Sequence, residues 1–283
     1  MVSEILSCGS SGSGRSAGTQ MEIGMASRTE PTLVGVVNVS PESMVRDSIA
    51  TTPEEILARA AFLETHGCSL LDLGGRSITP DAPKIDDAEE QARLLPALEL
   101  LQGAGHAVSV DTWSAGTARE CLDRGAAFVN FTGSELGPAL LGAVASARAG
   151  LIITYMPYGD AYRMRDAAPI PYRLPAIVEY LEVRVRAARE AGIAEVVVDP
   201  NLGIIHPSVD DPTKIHLQHE VLFHLDEVRA LGCPILLYAA RKPERLARIM
   251  MASAVLQVRP EYVRTHHPDM LQELLAAAQE ASV

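Results

Sequence analysis

Four polar residues stand just past short apolar runs and can share one small ligand: Asp111, Asn130, Asp199 and Lys242. Two carboxylates, a carboxamide and an ammonium put acceptors and donors in one plane. A flat aminopyrimidinone ring needs that pattern, because its amino and ring N–H groups seek carboxylates and its carbonyl seeks an amide or ammonium donor. Taken singly, each has a plainer use, since an Asp at a strand end also caps the helix that follows. A second group, Arg264 and His266 with Arg241, supplies fixed donors for an anion such as a phosphate. A third follows the first apolar run, in Asn38-Val39-Ser40-Pro41-Glu42-Ser43. The Asn38 carbonyl suits a hydrated Mg2+ shared with a substrate phosphate, and the same residues also make an ordinary turn. A fourth, Asp72-Leu73-Gly74-Gly75-Arg76-Ser77, joins a carboxylate to glycines that admit either a ligand close to the backbone or a turn.

The elements that must position these groups repeat along the chain. Eight apolar runs occur at 33–37, 69–73, 107–110, 127–129, 151–153, 195–198, 234–237 and 261–263. Helical periodicity fills the gaps, from 53 to an end by Gly67 and then over 86–101, 114–124, 138–149, 175–191, 212–231, 243–254 and 268–281. Thr52, Pro53 and Glu55 form a capping box with proline in the first turn, and a glycine precedes most of the later runs, as strand-joining turns require. Eight strand–helix units predict a single α/β domain, a (β/α)8 barrel over 31–283, and polar residues at its C-terminal strand ends form the expected site. An open doubly wound sheet is the competing topology. In the barrel, Arg264 and His266 follow the last strand, where phosphate is commonly bound.

Residues 1–30 are Ser/Gly-rich and predict a flexible tail. The formal charge of −12 over 283 residues argues against nucleic-acid or anionic-membrane partners, although a few local cations still suffice for an anionic small substrate. No run reaches the length of a membrane span, and no signal-peptide pattern is present. Cys8, Cys68, Cys121 and Cys233 form no C-x-x-C pair, and the last three flank apolar runs as small core residues, which predicts a reduced, cytoplasmic setting. His206, His216, His219 and His224 lack metal-ligand spacing and suit a solvated helix surface. Trp113, Tyr155, Tyr158 and Tyr162 fit either a pocket wall or packing.

In order along the chain, GVVNVSPES (35–43), LLDLGGRSITPDA (70–82), VSVDT (108–112), FVN (128–130), VVVDP (196–200), RK (241–242) and VRTH (263–266) resemble the dihydropteroate synthase family. The resemblance spans about 33–275. It implies a transferase that joins an arylamine, p-aminobenzoate or a relative, to hydroxymethyl-dihydropterin diphosphate with release of pyrophosphate. It implies that Asp111, Asn130, Asp199 and Lys242 hold the pterin, that Asn38 contacts Mg2+, and that Arg264 and His266 hold the diphosphate. Asp72 and Arg241 complete the set of candidate substrate-binding residues. The family is often dimeric, which implies a homodimer. Two other outcomes fit the same pattern: a pterin-binding protein without catalysis, and methyl transfer from a reduced pterin.

The loops depart from the family pattern. Glu42 and Met44 stand for its usual Asp and Phe, and Arg76, Ile78, Thr79 and Asp81 for its Glu, Thr, Arg and Gly. Phe131 follows Asn130 in place of Asp, Asn201 replaces a Gly, and Ala240 replaces the Ser before Arg241. The resemblance therefore implies an intact pterin floor and an altered second-substrate side.

Overall fold

The computed structural model describes residues 30–79, 81–239 and 244–280. The expected tail, apart from Glu30, lies outside the described residues, as do Ala240, Arg241 and Lys242. Eight parallel strands are present: β1 (Thr32–Asn38), β2 (Cys68–Gly74), β3 (Val108–Thr112), β4 (Phe128–Phe131), β5 (Gly150–Thr154), β6 (Val196–Asp199), β7 (Leu236–Tyr238) and β8 (Tyr262–Thr265). The helices are α1 (Pro53–Thr65), α2 (Asp87–Gly103), α3 (Ala115–Asp123), α4 (Pro138–Ala147), α5 (Ala161–Asp166), α6 (Leu174–Glu190), α7 (Asp211–Phe223), α8 (Leu225–Arg229), α9 (Arg245–Gln257) and α10 (Pro268–Glu280). The strand order is β6-β5-β4-β3-β2-β1-β8-β7, with β1 paired to both β2 and β8. Between β6 and β7 the described residues are joined by one bridge, Val198 to Ile235, where the Val198 N–H donates to the Pro234 carbonyl at 3.0 Å. The fold is the expected (β/α)8 barrel.

Local chemistry sets the helix starts. The Thr52 hydroxyl accepts from the Glu55 N–H, and the Glu55 carboxylate accepts from the Thr52 N–H at 3.1 Å, so the capping box is complete. Asp86 caps α2 and Ser114 caps α3 with the side-chain oxygen alone, accepting from the Glu89 and Thr117 N–H groups. At the far ends, Gly125 (φ 85°) and Gly232 (φ 65°) take the left-handed conformation that turns each helix toward its next strand.

Several expectations need correction. Gly150 does not make the turn after α4; Arg148 does, at φ 54°. Gly150 begins β5 and lies against Phe128, where a Cβ would sit 2.1 Å from the ring. The predicted helix over 212–231 breaks at His224 (φ −115°, ψ 28°) into α7 and α8, with Leu225 and Val228 both buried after the break. The short helix α5, capped by Asp160, was not foreseen between β5 and α6. Cys68 and Cys121 are core residues, whereas Cys233 is half-buried. His206 is not on a solvated surface: it is buried, with Nδ1 at 2.8 Å from the Ser208 hydroxyl and Nε2 at 3.1 Å from the Ala167 carbonyl.

Period-two alternation divides each strand into a wall face and a barrel face. Wall residues such as Val37, Leu71, Leu73, Val110, Val129, Ile153, Val198 and Val263 join the helices in the main core. Val34, Leu70, Ile152, Val197 and Leu236 form a separate apolar plug inside the barrel, flanked by Phe128 and Tyr262. Two residues further along the strands, the inward positions become polar. Asp72 follows Leu70, Asn130 follows Phe128, Thr154 follows Ile152, Asp199 follows Val197, and Arg264 follows Tyr262. The plug is thus a dry floor for a polar layer at the C-terminal end.

Candidate active site

Arg264 ties the polar layer together. Its Nε donates to Asp72 Oδ2 at 2.6 Å, and its Nη2 donates to Asp111 Oδ2 at 2.9 Å. Asn130 Nδ2 donates to the same Asp72 oxygen at 3.1 Å, and Thr154 Oγ1 donates to Asn130 Oδ1 at 3.3 Å. Thr132 Oγ1 donates to Asp111 Oδ1 at 3.0 Å. Asp72 is fully buried, and its Oδ1 has no hydrogen-bond partner among the described residues. Asp199, 7% exposed, accepts the Asn201 N–H at 2.7 Å through Oδ1.

Three carboxylates around one guanidinium leave excess negative charge in a poorly solvated place. Burial pushes Asp111 up to about 6; Arg264 opposes this and Asp72 adds to it. Burial pushes Asp199 up to about 7, against the Asn201 N–H and Arg264, with Asp111 and Asp72 adding to the rise. Arg264 is itself desolvated, yet Asp72 and Asp111 outweigh that and raise it above the ordinary guanidinium value. The layer therefore offers acceptors that gain from a ligand bringing N–H donors.

The other candidates stand at the rim. Asn38 Nδ2 donates to Ser48 Oγ at 2.7 Å and to Ser43 Oγ at 3.2 Å, which fixes the amide so that its carbonyl oxygen lies beside Gly74. His266 is buried after β8, its ring edge-on to Tyr238 with centroids 5.7 Å apart, and its carbonyl accepts from Arg59 Nη2 at 2.8 Å. Tyr238 also underlies the Arg264 guanidinium at 5.7 Å. The structure thus brings Asp72, Asp111, Asn130, Asp199, Arg264 and His266 to one end of the barrel, with Asn38 beside them. Arg241 and Lys242 lie outside the described residues. Among the described residues no group of three His, Cys, Asp or Glu side chains can hold a metal ion.

Sequence reasoning missed Thr132, Thr154, Asn201, Tyr238 and Arg59. Thr154 and Tyr238 were findable, since each is the next inward position after a plug residue. Arg59 was not, because its targets, the Val36 and His266 carbonyls, carry no sequence signature.

The altered loops are tied down by their own contacts, although Arg76 Nε and Arg165 Nε are buried without a hydrogen-bond partner among the described residues. Glu42 pairs with Arg93 at 3.0 Å and accepts from Ser40 at 2.8 Å. Arg76 pairs with Asp87 and, at 3.0 Å, with the buried Glu90, and lies 5.0 Å over Trp113. Ser77 and Thr79 both donate to the Glu42 carbonyl. Arg165 of α5 donates to the Ser77 and Ala82 carbonyls.

A dry-floored barrel with a carboxylate-rich mouth is the architecture of an enzyme that grips a flat, N–H-rich ring. The family model of the pterin binding enzymes matches residues 34–263. The chain is 28% identical over 264 residues to the dihydropteroate synthase type-1 of Mycolicibacterium fortuitum, covering 88% of this chain and 92% of that one. It is 31% identical over 234 residues to the dihydropteroate synthase of Mycobacterium leprae (strain TN), covering 81% and 78%. Among solved structures, the dihydropteroate synthase of Thermus thermophilus in complex with 4-aminobenzoate superposes with a TM-score of 0.72 at 26% identity, covering 89% of this chain and 95% of that one. The chain belongs to the pterin-binding enzymes, within the dihydropteroate synthase family of transferases.

Proposed function

We propose that the chain joins an arylamine, p-aminobenzoate or a close relative, to the methylene carbon of hydroxymethyl-dihydropterin diphosphate and releases pyrophosphate. The observation that carries this reading is the inward polar layer over the apolar plug. Asp111 and Asp199 accept from the pterin amino and ring N–H groups. Asn130 orients the ring, and Asp72 holds Asn130 and Arg264 in place. Arg264 and His266, at the end of β8, take the diphosphate and stabilise its charge as it leaves. Lys242 and Arg241 belong to the same proposal, as pterin and substrate contacts.

The described residues form no cage for a metal, but the Asn38 carbonyl oxygen is presented rigidly and fits a hydrated Mg2+ held jointly with substrate phosphates. A Mg2+ held at Asn38 would supply charge neutralisation for the diphosphate. The amine needs positioning more than activation, because the electron-rich pterin supports positive charge on the methylene. A cytoplasmic location and a homodimer complete the proposal. The buried thiols Cys68 and Cys121, both pushed up to about 12 by burial, suit a reducing setting, and no described helix is long and apolar enough to cross a membrane. Sedimentation measures the oligomeric state.

The deciding assay is pyrophosphate release from the pterin diphosphate with p-aminobenzoate and with bulkier arylamines. Release that depends on amine and is lost in Asp199→Asn supports the reading. Tight pterin binding without turnover of any amine overturns it in favour of a binding protein.

A further inference from the structure

We infer that Asn201 is a positioning residue for Asp199: its left-handed backbone presents an N–H to one carboxylate oxygen while its side chain fastens the turn to the end of β5. Four polar groups of Asn201 are used. Its N–H donates to Asp199 Oδ1 at 2.7 Å, and its Nδ2 donates to the Tyr155 carbonyl at 2.7 Å. Its Oδ1 accepts the Ile204 N–H at 2.9 Å, and its carbonyl, at 3.3 Å, shares the Tyr172 hydroxyl with the nearer Pro200 carbonyl at 2.9 Å. The residue is 3% exposed, with φ at 64°. Asn is among the few L-residues that enter this region readily, because its short amide bonds locally.

The geometry holds Asp199 from two sides. Thr154 and Asp199 are cross-strand partners, and the Tyr155 N–H donates to the Asp199 carbonyl at 2.9 Å. The Tyr155 carbonyl then receives the Asn201 amide, so one residue of β5's extension grips both the backbone of Asp199 and the residue that grips its side chain. Among the described residues only Oδ1 receives a hydrogen bond, which leaves Oδ2 to accept from a ligand. The turn also brings Gly203 against Tyr238, where a Cβ would lie 2.7 Å from the ring. Tyr238 in turn lies beside Arg264 and His266. A glycine at 201 would adopt the same φ and keep the N–H, but it would lose the bonds to Tyr155 and Ile204. Among the described residues, the charged and titratable groups facing Asp199 are Asp111, Asp72, Arg264 and Tyr172.

The functional consequence rests on the proposed pterin site; the positioning itself does not, and the test separates the two. Asn201→Gly and Asn201→Ala are made in the wild-type and Asp199→Asn backgrounds. The Asp199 carboxyl is titrated by carbon-13 chemical shift without ligand, and dihydropterin affinity is measured by calorimetry. In Asn201→Ala, the strained backbone pulls the N–H away, and the Asp199 midpoint rises by about half to one pH unit, since hydrogen bonding favours the charged form. Pterin affinity falls roughly tenfold in both variants, and by less than about twofold when Asp199 is already Asn, as residues acting through one group are non-additive. Equal losses in both backgrounds, or a midpoint unmoved in both variants, overturn the inference. Should Asn201→Ala fail to fold, Asn201→Gly, which keeps the backbone conformation, decides by the same two-background comparison. Should the wild type bind no pterin, the proposed function fails while the carboxyl titration still decides the positioning.

Discussion

Replacing Asp199 by Asn should make the protein more stable in alkaline solution and a poorer pterin binder. Asp199 is carried from an ordinary value of 3.8 up to about 7 by burial. A carboxyl whose folded pKa is raised gives stability that is fully present below the unfolded pKa and is lost as pH rises through the folded one. Each pKa unit is worth about 1.4 kcal/mol, so this shift sets an upper bound of about 4 kcal/mol of penalty at pH 8. Solvent at the open mouth and local relaxation reduce it, and about 2 kcal/mol is the expected gain from the neutral amide. The Asn side chain still accepts the Asn201 N–H, so no bond is orphaned. The assay is urea unfolding of both proteins at pH 5 and pH 8. The stability difference should open with pH by about 1 kcal/mol in favour of the variant, because the unfolded carboxyl is already ionised at pH 5 and part of the penalty is present there. Comparing the two proteins at each pH cancels Glu90, which burial also raises, and His267, which burial lowers, while Asp111, relieved of the Asp199 charge, adds to the gain of the variant. Pterin affinity at pH 8 should fall by at least the roughly 1.5 kcal/mol of a charge-assisted hydrogen bond. A stability difference that is flat with pH would refute the electrostatic account of the polar layer.

Arg264→Ala should cost about 3 kcal/mol of stability by leaving Asp72 buried without its cation, and should weaken pyrophosphate binding far more than pterin binding. Calorimetry with each ligand checks the division, and equal losses refute it. The KM for p-aminobenzoate should be high although pterin diphosphate binds well, because the Thr79 hydroxyl is spent on the Glu42 carbonyl; steady-state kinetics showing an ordinary KM would show the loops serve the arylamine after all. Gly150→Ala should destabilise by about 1–3 kcal/mol through overpacking on Phe128, and Phe128→Leu should restore part of it in denaturant titrations.

Much of the scaffold was legible because it is written locally. Thr52 and Glu55 announce a helix start, apolar runs announce strands, and alternation already orders Leu70 before Asp72 and Val197 before Asp199 on one face. What escaped was set by partners distant in the chain. Arg264 and Asp72 are 192 residues apart, so a guanidinium read as a diphosphate donor gave no hint that it bridges two carboxylates. Gly150 reads as a turn residue until Phe128 is seen against it. His206 reads as solvated because nothing nearby predicts the Ala167 carbonyl, which arrives with the unforeseen α5. Asn201 looks like a lost glycine in sequence; only its φ shows that the backbone requirement is met by another route.

The single bridge between β6 and β7 makes this barrel a ring with a clasp. Asp199 stands on one lip of the clasp, while Tyr238, with Arg264 and His266 beyond it, stands on the other. Thermal breathing should therefore enter here first, and the amide of Val198, which donates across the joint to Pro234, should lose deuterium protection ahead of its neighbours in β5. A molecule touching both lips would work as a staple. Compounds selected for that span would close the joint as well as fill the mouth, and they would protect the Val198 amide from exchange more than equally tight binders confined to the Asp111 side, which leave local opening of the joint free.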